Sequence, residues 1–232
     1  SWDTHPAAVP GGDVLYWSLM VAEDGTTVGC RLLRRPHGGG EARKLLEVEV
    51  EAVVNNTGKP PPLAARFRCA GDRCVLSETV GGELRFVFFD PASGERGETM
   101  HSIDRPSGWY EWNISPDGTR LAMVQSGRDV SVWALGENDE RSLRVIDDGY
   151  LDDVAWSTDG DVLFVTGVHV AGYRYVLLAV RPDGSSVRLF QSNHAHLAHP
   201  TPSPDGRRLA FSVNDFDLDV WLLEGFEPLP AP

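Results

Sequence analysis

The hydrophobic positions of this chain fall in short runs, with apolar and polar residues tending to alternate. Glycine, proline, aspartate or serine closes each run. Period two with frequent breakers is a strand pattern, and helical spacing is weak throughout. No helix longer than a turn or two is expected.

Three segments share one plan. They are "EWNISPDGTRLAMVQ" (Glu111 to Gln125), "VAWSTDGDVLFVTG" (Val154 to Gly167) and "PTPSPDGRRLAFSV" (Pro200 to Val213). In each, an apolar strand leads into Ser-Pro-Asp-Gly or Ser-Thr-Asp-Gly and a second strand follows. Their glycines, Gly118, Gly160 and Gly206, are 42 and 46 residues apart. Two weaker copies lie upstream, around Gly12 in "HPAAVPGGDVLYWSL" and Gly71 in "AARFRCAGDRCVLSE". The step of 59 residues between them implies an insertion near "NNTGKPPP", Asn55 to Pro62. Proline presets φ in such a turn, aspartate bonds the local backbone, and glycine takes the left-handed conformation that reverses the chain.

A third strand is expected after each hairpin, at Thr27 to Leu33, Leu84 to Phe89, Val130 to Leu135, Tyr173 to Val180 and Asp219 to Leu223. Fourth strands follow at Arg43 to Val50, Glu98 to Ile103, Ser142 to Ile146 and Ser186 to Phe190. Four antiparallel strands per repeat of this length make a β-propeller blade. The sequence therefore predicts an all-β propeller in one domain. Its blades span roughly 4–54, 62–104, 107–149, 150–196 and 197–226, and a tail covers 227–232. The last blade ends in "EGFEPLPAP", whose prolines oppose a fourth strand. Ser1 is no initiator, so the chain reads as a mature form or an excised piece. It is expected to be the C-terminal part of a longer propeller, with an open blade edge that invites self-association.

The Ser-Pro-Asp-Gly-x-x-Leu-Ala-Phe pattern resembles that of TolB-type, WD-repeat-like β-propellers. More narrowly, three stretches resemble the C-terminal propellers of large acidobacterial-type regulators: "RFRCAGDRCVLSE" with "FVFFDPASGERGE", "YEWNISPDGTRLAM", and "PSPDGRRLAFSVNDFDLDVWLLEGF". In those proteins the propeller follows a Ser/Thr kinase or winged-helix domain. The resemblance implies a bacterial regulatory or envelope protein. It speaks to fold more than to function, because propellers host many functions.

Composition narrows the partners. Net charge is -13, from 34 acidic and 21 basic residues, which disfavours nucleic acid and anionic lipid. No apolar stretch is long enough to span a bilayer, and no signal-peptide pattern opens the chain. Nucleophile-elbow, phosphate-loop and zinc-protease motifs are absent, so no catalytic residue, metal or cofactor is assigned. A protein or peptide partner, or a small polar ligand, remains.

Loops joining an outer strand to the next inner strand share a face with loops joining strands two and three. That face would gather Trp109, Tyr110, Tyr150, Asp152, Asp153, His169, His194 and His196, with Asp215 and Asp217. Such groups around a channel mouth suit a binding site. The competing reading is a solvated rim with aromatic residues packed between blades. His194, His196 and His199 also suggest a metal site. However, His199-Pro200 aligns with His5-Pro6, which points to a structural histidine and leaves too few ligands for zinc. The doublets Asp147-Asp148 and Asp152-Asp153 read as solvated loop charge. Cys69 and Cys74 flank a hairpin turn and suit a disulfide, with a reduced pair or half a metal site as alternatives. Cys30, in an apolar strand, reads as a buried thiol. A disulfide would favour an extracytoplasmic location. The function expected is a non-catalytic ligand-sensing or protein-interaction module. The alternative is a propeller enzyme hydrolysing glycosidic or peptide bonds with acids in a central cleft.

Overall fold

The computed structural model describes residues 3–9, 12–21, 27–49, 65–106, 108–125, 127–136 and 140–215. These form eighteen strands and no helix. Blade one holds β1 (Asp3–Ala8), β2 (Val14–Val21), β3 (Thr27–Arg35) and β4 (Arg43–Glu49). Blade two holds β5 (Ala65–Ala70), β6 (Arg73–Val80), β7 (Glu83–Phe89) and β8 (Arg96–Asp104). Blade three holds β9 (Tyr110–Ile114), β10 (Arg120–Gln125), β11 (Asp129–Ala134) and β12 (Glu140–Arg144). Blade four holds β13 (Tyr150–Trp156), β14 (Leu163–His169), β15 (Arg174–Val180) and β16 (Ser186–Ser192). The described part of blade five is β17 (Ala195–Pro202) and β18 (Leu209–Asp215). Every pairing is antiparallel between sequence neighbours.

The repeated turns are built alike. Ser115 Oγ donates to Asp117 and accepts the Arg120 N–H, while the Thr119 N–H reaches the same aspartate. Ser157 with Asp159 and Ser203 with Asp205 repeat the arrangement. The glycine N–H closes each turn on the serine carbonyl at 2.8–3.0 Å, with φ of 69°, 76° and 68°. Serine hydrogen bonding holds the Asp117 carboxyl down at about 2.

Burial explains why alternation is imperfect in the sequence. A blade packs on both faces, so both side-chain sets of its central strands are apolar. Leu76 and Phe89 of blade two join Leu15, Trp17 and Leu32 of blade one. Val75 and Phe86 face the other way, onto Trp112, Ile114 and Met123 of blade three. A third cluster joins Val124 and Val130 to Val154, Val165 and Val176 of blade four. Each cluster spans one blade interface.

Cys69 and Cys74 are directly opposite in the β5–β6 register and disulfide-bonded, 4.1 Å apart at Cα. Cys30 is free and fully buried, and burial pushes its thiol up to about 11.

Two expectations need correction. The repeat begins the first strand of blade five at Pro200, but that inner strand is β17 and begins at Ala195. His196 and His199 are therefore strand residues of blade five, not loop residues between blades. The cause is a β-bulge. Register slips by one residue between Ala198 and Thr201, with His199 at φ 54°, so the alternation that signals a strand is broken there. Matching bulges interrupt β1 between Thr4 and Ala7, and β13 between Leu151 and Asp153. Second, Asp152 and Asp153 are not solvated loop residues. They lie in β13, and Asp153 is buried. The insertion near Asn55 to Pro62, the third strand at Asp219 to Leu223, and the tail with its open edge lie outside the described residues.

Entry into β13 depends on Gly149, at φ 109°, where a Cβ would meet the Val168 carbonyl oxygen at 1.8 Å. Gly149→Ala is expected to cost about 3 kcal/mol. Gly184→Ala, at φ 83° with no atom within 4 Å of its Cβ position, should cost about 1 kcal/mol. Urea unfolding of the two variants checks the difference.

Candidate functional site

The inner strands β5, β9, β13 and β17 stand side by side around the propeller axis. They belong to different sheets, so no strand ladder joins them. Side chains make the connections. Arg66 Nη1 donates to the Tyr110 carbonyl at 3.0 Å and to Glu111. Arg68 Nη2 reaches the other oxygen of Glu111 at 3.3 Å. Trp156 Nε1 donates to the Asn113 carbonyl, and Asn113 returns a bond to that of Val154. The His199 N–H donates to Asp153 at 2.9 Å, and His199 Nδ1 lies 3.1 Å from the same oxygen.

Above these connections opens a cavity of 470 Å³, lined by Trp109, Glu111, Tyr150, Asp152, Asp153, His196, Ala198, His199 and Asn214. The bulge in β13 presents two consecutive carboxylates to it, which a regular strand would send to opposite faces. Asp152 meets His196 Nε2 at 3.2 Å, and the His196 ring is set edge-on to Tyr175. Trp109 and Tyr150 are about two-fifths exposed at the rim.

The site's protonation follows from burial and these partners. Burial pushes Asp152 above the usual carboxylate range, against the opposing pull of His196. Burial also pushes Glu111 up, while Arg66 and Arg68 pull it back. The hydrogen bond to Asp153 raises His199. Among the described residues, no group of three or more His, Cys, Asp or Glu is arranged to hold a metal.

Of the residues expected at the mouth, Trp109, Tyr150, Asp152, Asp153 and His196 do line one cavity. Tyr110 does not. It is buried in the cluster between blades two and three, with the Arg66 guanidinium over its ring. His169 lies outside the cavity lining and pairs with Asp148 at 2.8 Å, an acid that also accepts the Ala171 N–H. Asp148 is thus a loop brace rather than a merely solvated charge. His194 is exposed and its N–H bonds Ser192. Asp215 ends β18, and Asp217 lies outside the described residues. Glu111 and Asn214 escape the sequence reading, while His199, read there as structural, also lines the cavity. Glu111, Asp153 and His199 stand seven residues before Gly118, Gly160 and Gly206, so a titratable column in the repeat alignment carried the signal.

No family profile matches the chain. Over 100 residues it is 36% identical to a TolB homolog of Chlorobium luteolum. That match takes in 42% of this chain and 22% of the relative's length. A solved structure of a TolB candidate from Agrobacterium tumefaciens superposes with a TM-score of 0.63 at 20% identity, over 94% of this chain and 72% of that one. The fold is a TolB-like β-propeller. A 6-phosphogluconolactonase candidate from Bacteroides uniformis also superposes, with a TM-score of 0.55 at 15% identity, over 90% of this chain and 63% of that one. The narrower likeness to kinase-linked or winged-helix-linked propellers rests on the quoted motifs alone.

Removing Glu111 would leave Arg66 and Arg68 buried without their acid. Glu111→Ala should cost about 3 kcal/mol in urea unfolding, more than the double variant Arg66→Leu/Glu111→Leu. The raised His199 stabilises the fold fully below pH 6.5, its unfolded value, and loses that contribution as pH rises through its folded value. The His199 contribution to the melting temperature should therefore fall as pH rises above 6.5. His199→Gln should flatten that fall.

Proposed function

We propose that this propeller is a non-catalytic protein-interaction module of an extracytoplasmic assembly, and that the mouth cavity receives a segment of its partner. One observation carries the reading. Exposed aromatic rings, Trp109 and Tyr150, border a polar cavity whose walls are held by ion pairs before any ligand arrives. Preformed polar walls with aromatic anchors are what peptide recognition requires. Val170 and Tyr173, at the β14–β15 hairpin, add exposed apolar surface to the same face. The likeness to TolB proteins supports the interaction role. The Cys69–Cys74 disulfide supports an oxidising compartment. The acidic net charge fits a protein or peptide partner better than nucleic acid or a membrane surface.

Hydrolysis is the second reading. Asp152, raised by burial, has the character of a general acid, and the lactonase-type neighbour shares the fold. Yet Glu111 is committed to two arginines, and Asp153 to His199 and the Val154 N–H. Among the described lining residues there is no second free carboxylate.

A photo-crosslinking residue at Tyr150 tests the main reading. In cells of the source organism it should give a discrete protein adduct, reduced several-fold by Trp109→Ala. The same residue at Val187, on the outer strand β16, should not. Equal adducts at both positions, or none at Tyr150, would overturn the reading. Turnover of lactone or glycoside substrates that Asp152→Asn abolishes would establish the second reading instead.

A further inference from the structure

A second cavity lies on the opposite face of the disc, where the Asp-Gly turns lie. It has a volume of 290 Å³ and separates blades three and four. Val132, Ala134 and Leu143 form one wall; Trp156, Leu163 and Val180 form the other. This is the small end of the range for ligand pockets, about 300–1,000 Å³. Its walls come from strand ends held by two ladders and by the apolar cluster between the blades. The cleft is therefore part of the rigid framework.

Two cations line it. The Arg120 guanidinium stacks over Trp156, 4.7 Å from the ring centre, and Nη2 donates to the Gly160 carbonyl at 2.9 Å. Those contacts fix its plane while no carboxylate forms an ion pair with it among the described residues. The nearby Asp117 is engaged by Ser115 and Thr119. Arg141, exposed on β12 opposite Val132, makes no ion pair or side-chain hydrogen bond among the described residues. Among the described residues, Asp161 is the one acid in the lining, and it is exposed. In a chain of net charge -13, two arginines that make no ion pair among the described residues flank one apolar cleft.

We propose that this cleft binds a small apolar carboxylate, its hydrocarbon part between the blades and its carboxylate on Arg120 and Arg141. Apolar walls supply affinity for the chain, and guanidinium groups match a carboxylate in charge and in fork geometry. The site is separate from the mouth cavity, with which it shares no lining residue.

Calorimetric titration of the whole chain with sodium octanoate at neutral pH tests this. One saturable site per chain is expected, with octanamide, the uncharged analogue, binding about tenfold or more weakly. Arg141→Glu, a surface change that should leave the melting temperature unaltered, should weaken octanoate by about tenfold and leave octanamide unaffected. Leu143→Trp, which fills the cleft, should abolish both. Absence of saturable binding, equal affinity for octanamide, or binding indifferent to both substitutions would each overturn the proposal. Adduct formation at Tyr150 is independent of all three results.

Discussion

Adjacent inner strands of a propeller diverge into separate sheets and cannot share a hydrogen-bond ladder. Everything else here depends on that constraint. Their channel-side backbone groups still require partners where water is scarce. The chain supplies them from side chains. Arg66 satisfies the Tyr110 carbonyl, Trp156 and Asn113 exchange bonds with each other's strands, and Asp153 accepts the His199 N–H. Each successive pair from β5 to β17 has at least one such bond. Apolar clusters hold the blades together further out, but they are directionless. The side-chain bonds near the axis fix how the inner strands align.

The same constraint explains the charge at the centre. A carboxylate or guanidinium that bonds a neighbouring strand must itself be buried, and burial opposes its ionisation. Glu111 and Arg68 are both pushed toward neutrality by burial and both pulled back by their opposite charges. Signs differ between neighbours where β5 meets β9 and where β13 meets β17. The β9–β13 junction, where Glu111 and Asp153 repel, is joined by the uncharged Asn113 and Trp156, while Arg68 lends positive charge to both acids.

The repeat and its turns could be read from sequence because their cause is local. Ser115, Asp117 and Gly118 make their contacts within a few residues, so the same letters give the same turn three times. The third and fourth strands of blades one to four lie within about two residues of their expected limits. The site resisted because its causes are distant. Asp152 and Asp153 look like a polar loop until a bulge and partners 44 and 46 residues away make them strand residues. The match of His199 to His5 in the repeat reads as structural. His199 is structural, and it also lines the cavity. Tyr110 shows the reverse: its neighbour Trp109 reaches the rim, while one residue further the side chain turns into the core, which composition alone does not reveal.

Structural and binding roles can be separated within this cavity by counting partners. Glu111 has both oxygens engaged by arginines. Asp153 accepts from the backbone N–H groups of Val154 and His199 and also pairs with the His199 ring. Neither can turn to a ligand without loosening two inner strands. Asp152 is different. It is the extra residue of the β13 bulge, its single side-chain partner among the described residues is His196, and burial leaves its charge under-compensated. A donor arriving at Asp152 would relieve that cost rather than compete with an existing bond. The bulge thus adds to a strand already satisfied by Asp153 one carboxylate that the scaffold does not consume. Beside it Tyr150 and Trp109 line the same cavity, each about two-fifths exposed. Glu111, Asp153 and the arginines hold the ring, and Asp152 is the carboxylate of this cavity least committed to that task.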